Sequence, residues 1–417
     1  MRAPLTIALC LLAAAPARAD DNVDLGTTWF QEKRSGGLGG LTVLHPQVDL
    51  GIDMGDHVGL DAGWSADVVS GATARVYSVD AVSSATPFDD LRNQGNLALR
   101  FAGRRSRLAL HGGAAAERDY LSISFGGSGD IDLPGKNTNV SLSYSYNMDQ
   151  VCDRDNSMLN PFQRRTLDGL QPCEKEMYLR GKDTMGTTLW HDLTIDTVQA
   201  ALTQNLSPTL VAQVSLYGQV LHGFQSNPYR AVRVRSVEAQ ETVPEVRSRA
   251  ALSVRLNKYL PALAAAVHLD LRGYSDTWGV NSGTAEAAWS QYFGRSLLFR
   301  ARARIYQQSA AVFFKDAFFY ATEGEAGAYF TGDRELGRIR NVLLGGKLSL
   351  LKVAQQGRSV AGIFEELRLN LKADLMFLDE LPADDSSANP VGIDGQYLSS
   401  GRLFDGFILQ LALALRY

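Results

Sequence analysis

The chain has 417 residues, of which 45% are hydrophobic and 21% charged, with 39 Gly against 13 Pro. This composition excludes intrinsic disorder, because a chain with so many apolar residues can bury a large core. No stretch approaches the roughly 18 consecutive apolar residues that a membrane-spanning helix requires. The formal net charge of −4 gives no electrostatic reason to expect nucleic acid as a partner.

The N-terminal segment has the features of a Sec-type signal peptide. Arg2 supplies a positive n-region, "LTIALCLL" an apolar h-region, and "ARA" a cleavage motif. We therefore expect residues 1–19 to be removed by cleavage between Ala19 and Asp20, which leaves a single domain over 20–417. The alternative is that the segment forms a buried N-terminal helix.

Further along the chain, apolar and polar residues alternate with a period of two. One example is "VGLDAGWSADVV" (58–69), and the same division recurs in 138–148, 263–274, 296–306 and 363–377. Such alternation predicts β-strands with one apolar and one polar face. The segments run for about 10–14 residues, whereas soluble strands average about 5–6, so their length favours strands that cross a bilayer. A secreted β-sandwich is the alternative.

We predict an all-β fold, a transmembrane antiparallel β-barrel of about 16 strands (range 12–18) with a polar lumen. Its apolar faces meet lipid. Short links such as "GDREL" (332–336) are predicted to be periplasmic or tight turns, and the strand parity closes only if one crossing near 309–322 is miscounted. Long polar links, which face outward in such barrels, lie at 70–92, 150–182, 223–245 and 379–402. The Ser/Thr-rich "SGAT…SSAT" part of the first link is predicted to fold as a loop or plug.

The cysteines predict one disulfide. Cleavage of the signal peptide removes Cys10 and leaves Cys152 and Cys173. An even pair in an exported chain indicates a bond that closes a loop of about 20 residues and contributes about 3 kcal/mol. There is no C-x-x-C motif and no zinc-type spacing.

The chain ends in "DGFILQLALALRY", an alternating strand with a terminal aromatic residue. This pattern resembles the sorting signal that the barrel-assembly machinery of Gram-negative bacteria recognises. The resemblance implies the cell outer membrane as the location, with outer-membrane lipid and that machinery as partners. The residues that carry it are Phe407, Leu409, Leu411, Leu413, Leu415 and Tyr417.

Several longer stretches resemble one family. They are "DVVSGATARVYSVDAVSSATPFDDLR", "HGFQSNPYRAV", "LRGYSDTWGVNSGTAEAAWSQYF", "RIYQQSAAVFF" and "GDREL". In this order they are similar to the outer-membrane proteins of the domain of unknown function 3570 family. One departure is Ala74, where that family more often has Pro. The resemblance implies an outer-membrane β-barrel and carries no substrate assignment.

Charged residues occupy the polar faces of several strands, and we expect them to form a ladder along the lumen. In one interpretation the ladder belongs to a pore or transporter for small polar or anionic solutes, because opposed charges create a field across the channel. In the other interpretation the charges pair and close a barrel that acts as a structural or partner-binding scaffold. The ladder comprises His268, Asp270, Arg272, Arg300, Arg302, Arg304, Glu366, Arg368, Lys372 and Asp374.

Catalysis is the third interpretation, and it has the least support. None of the six histidines of the mature chain lies in a G-x-S-x-G or H-E-x-x-H setting. His268 and Asp270 share a strand face, as a hydrolase dyad would require, but lumen polar contacts explain such a pair more often. The acidic loops 149–157 and 383–395 lack the spacing of a calcium site. We therefore predict no catalytic residue, no metal and no cofactor.

Overall fold

The structure of the protein is a computed structural model. It describes residues 21–32, 41–74, 85–117, 120–152, 190–226, 231–234, 237–314, 323–354, 364–381 and 405–417. Nearly all of these residues lie in β-strands. Within the described ranges, no helix is both long enough and apolar enough to cross a membrane.

The strands are long, as the alternation predicts. They are β1 (Asn22–Glu32), β2 (Thr42–Asp53), β3 (Val58–Ala74), β4 (Ala85–Ala102), β5 (Ser106–Ala116), β6 (Tyr120–Asp132), β7 (Thr138–Cys152), β8 (Trp190–Ser207), β9 (Leu210–Gly223), β10 (Ala231–Val234), β11 (Val237–Gln240), β12 (Val246–Leu260), β13 (Ala265–Asp276), β14 (Asn281–Phe293), β15 (Leu297–Gln308), β16 (Arg338–Val353), β17 (Glu366–Leu381) and β18 (Gly406–Arg416). The described residues also include one helical turn, α1 (Glu323–Ala326), and two 3₁₀ turns, Pro261–Leu263 and Arg334–Leu336.

Sixteen of the strands form one closed antiparallel barrel. Each strand pairs with its neighbours in the chain, β9 pairs with β12, and β1 pairs with β18 to close the sheet. The short strands β10 and β11 form a separate hairpin. With strands about 4.8 Å apart and tilted by about 40°, sixteen strands give a backbone diameter of roughly 30 Å. The prediction of an antiparallel barrel of about 16 strands is confirmed.

The two faces of the barrel differ as a membrane requires. Large apolar side chains cover the outer face, and Leu97, Leu142 and Leu216 are each more than half exposed. Polar and small residues occupy the inner face. Closure gives every barrel strand a hydrogen-bonded neighbour on both sides, so the barrel has no open edge strand.

The two ends of the barrel have different connections. At the end that holds Asn22 and Arg416, here called the terminal end, most turns are short and the longest link is 354–365. At the opposite end, here called the loop end, the links are 33–41, 75–84, 117–119, 153–189, 224–245, 277–280, 309–337 and 382–405.

The strand order resolves the parity of the crossings. Residues 309–337 form one loop-end connection between β15 and β16, so 309–322 contains no crossing of the barrel in its described part. The turn at 294–296 then lies at the terminal end. "GDREL" is not a short link between strands, because it lies in the long loop-end connection 309–337. It does contain a tight turn, the 3₁₀ turn Arg334–Leu336, while its periplasmic side stays a prediction.

The predicted loop at 70–92 is also mostly wrong. Strand β3 continues to Ala74 and β4 begins at Ala85, with Ser70 paired to Asp89 and Ala74 to Ala85. Ser, Thr and Gly favour turns locally, but pairing between β3 and β4 continues through this stretch and gives its backbone groups ladder partners that a loop lacks. The described part of the "SGAT" run is therefore strand rather than loop or plug.

Candidate functional site

The inner face of the barrel collects the predicted ladder. On β15, Arg300, Arg302 and Arg304 alternate with outward residues such as Phe299 and Ile305, which are 40% and 56% exposed. Strands β13 and β17 present His268, Asp270, Arg272, Glu366, Arg368, Lys372 and Asp374 on the same inner face by register. The structure thus brings the ten residues together on one part of the lumen wall, while their role in solute selection stays a prediction.

Cations dominate the inner face of strands β12 to β17, here called the basic wall. The register places Arg247, Arg249, Arg255, Arg272, Arg300, Arg302, Arg304, Lys347, Arg368 and Lys372 on this face. The acids among them are Asp270, Asp276, Glu286, Glu366 and Asp374. Basic residues therefore outnumber acidic ones among the described side chains of the basic wall.

Acids dominate the inner face of strands β1 to β7, here called the acidic wall. Asp24 lies directly opposite Asp49 across the β1–β2 pair, and Arg100 binds both Asp61 at 2.7 Å and Asp53 at 3.2 Å. The described inward acids of this wall are Asp24, Glu32, Asp49, Asp53, Asp61, Asp67, Asp130, Asp132 and Asp149, and the cations are Arg92, Arg100 and Arg107.

Strips with little charge separate the two walls. The inner faces of β8 and β9 carry residues such as Gln199, Gln213 and Tyr217, and β18 carries Gln410 with one cation, Arg416, at its end. In the strand order, the middle of the acidic wall lies half-way round the barrel from the middle of the basic wall. Opposed charges of this kind create a transverse electric field across a lumen.

The side chain of Asp374 is fully buried in the basic wall. Arg302 binds it with two parallel hydrogen bonds, Nε to Oδ1 at 3.0 Å and Nη2 to Oδ2 at 2.7 Å. Lys372 Nζ lies 3.2 Å from Oδ2. Gly345 lies directly opposite Asp374, and a Cβ atom there would overlap with the carboxylate. The bare backbone of Gly345 therefore makes room for the carboxylate against the wall.

Two further acids neutralise neighbouring arginines. Glu286 accepts a hydrogen bond from Arg304 Nε at 2.9 Å and lies 3.5 Å from Arg302 Nη1. Asp270 pairs with Arg255 across the β12–β13 ladder. Two arginines of the predicted ladder, Arg302 and Arg304, are thus committed to ion pairs within the wall.

Arg300 differs from the other two arginines of β15. It faces Lys347 across the β15–β16 pair, and Lys347 in turn faces Lys372 across the β16–β17 pair. Among the described residues, no acid forms an ion pair with Arg300 or Lys347, and no group accepts a hydrogen bond from the buried Nε of Arg300. Like charges in directly opposite positions normally destabilise a sheet. The row of Arg300, Lys347 and Lys372 therefore requires an explanation.

His268 does not pair with Asp270, and each makes the kind of lumen polar contact that the sequence favoured over a hydrolase dyad. His268 Nδ1 lies 2.6 Å from Asn257 Oδ1, and Nε2 lies 3.1 Å from Ser290 Oγ. Asp270 is held by Arg255 instead. Because the strand turns each side chain toward its cross-strand neighbours, spacing of two along one strand does not predict the contact.

The loop end carries a compact cluster, here called the loop platform, that joins the loops 224–245, 277–280 and 309–337. Its buried apolar residues are Val243, Trp278, Val280 and Ala311. Bridges join Thr242 to Phe330 and Phe314 to Thr331. Thr331 Oγ1 donates to Glu241 Oε2 at 2.6 Å. The described parts of the three loops therefore form one packed unit.

One ion pair ties the loop platform to the barrel. Arg247 Nε donates to Asp276 Oδ2 at 2.9 Å, and the guanidinium lies 4.1 Å from the Trp278 ring centroid. Asp276 Oδ1 accepts hydrogen bonds from the backbone N–H groups of Trp278 and Val280, each at 3.0 Å. This arrangement joins a charge-assisted hydrogen bond to a cation–π contact.

The remaining predicted features lie partly outside the described residues. The signal peptide with its cleavage site at Ala19 and Asp20 is outside them, and so is Cys173. Cys152 is buried against Trp190, and its disulfide stays a prediction. The described residues contain no group of three or more His, Cys, Asp or Glu that could hold a metal ion. Residues Phe407, Leu409, Leu411, Leu413 and Leu415 line the outer face of β18, and the Tyr417 ring lies 4.9 Å from that of Phe364.

Sequence reasoning did not identify the acidic wall, nor Lys347, Arg255 and Glu286 on the basic wall. The acids are spread over many strands, one or two to each, and only the register places them side by side. Lys347 lies in "VLLGGKLSLLKV", where leucines on both faces hide the alternation. A search for inward charges on every predicted strand would have found Arg255 and Glu286.

A closed antiparallel barrel with an apolar outer face and a polar inner face is the architecture of outer-membrane barrel proteins. Within this class, the chain belongs to the family described as "Protein of unknown function (DUF3570)", whose model matches residues 5–366. The resemblance seen in the sequence is thus confirmed. No curated protein sequence matches the chain.

Solved structures of outer-membrane barrels are similar to most of the chain. A bacterial polysaccharide outer membrane secretin is 8% identical, with 96% of this chain and 100% of that chain covered and a TM-score of 0.46. A loop-deletion mutant of OmpT from Vibrio cholerae is 6% identical, with 95% and 98% covered and a TM-score of 0.43. OccK2 of Pseudomonas aeruginosa in complex with glucuronate is 11% identical, with 95% and 98% covered and a TM-score of 0.39.

Proposed function

We propose that the protein is an outer-membrane pore or transporter for small polar solutes. The single observation that carries the proposal is the separation of charge inside the barrel, with an acidic wall on β1 to β7 facing a basic wall on β12 to β17. Charges cost free energy when they are buried without water or a partner. Their number on the inner face therefore favours a hydrated lumen, in which a transverse field orients and selects solutes.

The proposal includes the cellular setting. The outer face meets outer-membrane lipid, residues 1–19 direct export, and the β18 strand is recognised by the barrel-assembly machinery. The loop end then faces the cell exterior, because short turns lie on the periplasmic side of such barrels. The loop platform would form part of the external mouth.

Conductance across a planar lipid bilayer tests the proposal. Protein refolded in detergent, with heat-modifiable gel migration as the check of folding, is expected to produce stepwise currents. Arg100→Gln on the acidic wall and Arg255→Gln on the basic wall each remove one lumen cation, and both are expected to lower the permeability of chloride relative to potassium. Arg295→Gln, in the exposed turn at the terminal end, is the control. A folded barrel without current would overturn the pore.

A closed scaffold is the second candidate, and the loop platform is the observation that favours it. Its buried core of Val243, Trp278, Val280 and Ala311 gives the loop end a rigid surface that suits a partner. A silent barrel that binds a partner through this surface would support the scaffold. A hydrolase is the third candidate, for which Ser290 beside His268 is the group to test. Ser290→Ala would abolish ester hydrolysis in that case.

A further inference from the structure

The cations of the basic wall are not equivalent, and the difference lies in their partners. Arg302 and Arg304 are neutralised by Asp374 and Glu286 at 2.7 to 3.5 Å. Arg368 is held by Glu366 at 2.8 Å. Arg300 and Lys347 have no such acid among the described residues, although they lie on the same wall.

The neighbours of Lys347 increase the imbalance. The charges that act most strongly on it belong to Arg300, Arg368 and Lys372, and all three are cations. Lys372 Nζ is already bound to Asp374 at 3.2 Å and to Gln410 Oε1 at 2.9 Å. An ammonium has three donors, so one donor of Lys372 remains for a ligand.

The register makes this a continuous row. Arg300, Lys347 and Lys372 occupy directly opposite positions on three adjacent strands and all face inward. Cross-strand positions of this kind place side chains about 5 Å apart. Guanidinium and ammonium groups at that spacing can bind the same oxyanion, the guanidinium through two parallel hydrogen bonds and the ammonium as a point charge.

We propose that Arg300 and Lys347, with Lys372 beside them, form a binding subsite for small oxyanions in the lumen. The ligand class is a phosphate or carboxylate group, which would neutralise Arg300 and Lys347, the two cations of the row that have no acid partner among the described residues. Arg302, Arg304 and Arg368 shape the wall but are occupied by their own acids. The inference rests on the proposed function in one respect, because it makes the anion the solute that the pore selects.

Titration calorimetry with inorganic phosphate, on the full chain refolded in detergent, tests the subsite independently of conductance. The test variant is the double substitution Arg300→Gln and Lys347→Gln. The matched control is Arg304→Gln with Arg368→Gln, which removes two cations from the same wall but takes them from existing ion pairs. All three proteins are first shown to fold by heat-modifiable migration.

The wild type and the control are expected to bind phosphate saturably, and the test variant to bind it at least tenfold more weakly, since each lost charge-assisted hydrogen bond is worth about tenfold. Equal binding by the test variant would overturn the subsite. An equal loss in the control would also overturn it, because the general field of the wall would then explain the binding.

Bilayer currents separate this inference from the proposed function. Phosphate is expected to reduce the chloride current of the wild type and the control but not of the test variant. Phosphate binding that depends on Arg300 and Lys347 in a barrel without current would retain the subsite and refute the pore. A chloride current that phosphate does not reduce, together with no calorimetric binding of phosphate, would retain the pore and refute the subsite.

Discussion

Removal of one partner from the ion pair between Arg302 and Asp374 is expected to destabilise the barrel strongly, because the other partner is left buried and unpaired. The Asp374 side chain is 0% exposed, and those of Arg302 and Lys372 are 16% and 25% exposed. The substitution Asp374→Asn keeps the volume of the side chain but removes the charge. It leaves two partly buried cations, Arg302 and Lys372, and among the described acids only Glu286, 3.5 Å from Arg302, still pairs with either of them.

The magnitude follows from burial. Removing one partner of a buried ion pair costs about 3–5 kcal/mol. Because the two cations retain some contact with solvent, we expect the lower end of that range, a loss of about 3 kcal/mol in the free energy of unfolding. Combined with Arg302→Gln, the loss should be smaller than the sum of the two single losses. The expected coupling energy in this double-mutant cycle is about 2 kcal/mol.

The barrel offers a matched control of the same chemistry. Arg107 binds Asp130 through hydrogen bonds of 2.9 to 3.2 Å, but the Arg107 side chain is 70% exposed. Exposed pairs contribute about 1 kcal/mol or less. The cycle of Arg107→Gln with Asp130→Asn should therefore show a coupling energy below about 1 kcal/mol.

Equilibrium unfolding in guanidinium, followed by tryptophan fluorescence in lipid bicelles, measures both cycles. A coupling energy between Arg302 and Asp374 no larger than that between Arg107 and Asp130 would refute the reasoning. Burial would then not be what distinguishes the two pairs.

Three further substitutions test other parts of the structure. Gly345→Ala places a methyl group where the Asp374 carboxylate lies, so it should lower the unfolding free energy about as much as Asp374→Asn, and a neutral effect in the same unfolding assay would contradict that. Asp276→Asn releases Arg247 and two backbone N–H groups. Hydrogen exchange in the loop platform should then rise at least tenfold while the barrel strands stay protected, whereas unchanged exchange would show that the apolar core alone holds the platform. Phe407→Ala removes an edge-to-face contact with Trp29 across the β1–β18 pair, in which the ring centroids lie 5.2 Å apart and which is worth about 1 kcal/mol. The heat-modifiable form should therefore appear more slowly during refolding. An unaltered rate would show that pairing of β1 with β18 is not part of the slow step.

The fold could be predicted from the sequence because alternate residues of a barrel strand face two different environments, lipid outside and the lumen inside. In β15, Phe299, Ala301 and Ile305 point outward while the arginines between them point inward, and no other strand is needed to see it. Alternation fails on β16, where Leu343 faces inward between Arg304 and Met376. It also fails to mark where a strand ends, since β3 runs on to Ala74 through residues that favour turns.

The site was less predictable because it depends on register. The sequence places Arg300, Arg302 and Arg304 on one face, but it does not tell that Asp374 reaches Arg302 from two strands away. Nor does it tell that Arg300 meets Lys347. These contacts connect residues 47 to 72 positions apart, and pairings of that range are set by the order and shear of the whole sheet.

The seam between β1 and β18 has a consequence for assembly. Gln410 Nε2 donates to Thr28 Oγ1 at 3.0 Å, and these residues are 382 positions apart. The acidic wall belongs to the first half of the chain and the basic wall to the second. Until the sheet curls shut, their charges face open water, and salt screens them beyond about 8 Å. A partly assembled barrel is therefore an open sheet that encloses no lumen. The transverse field between the two walls arises only when β1 pairs with β18.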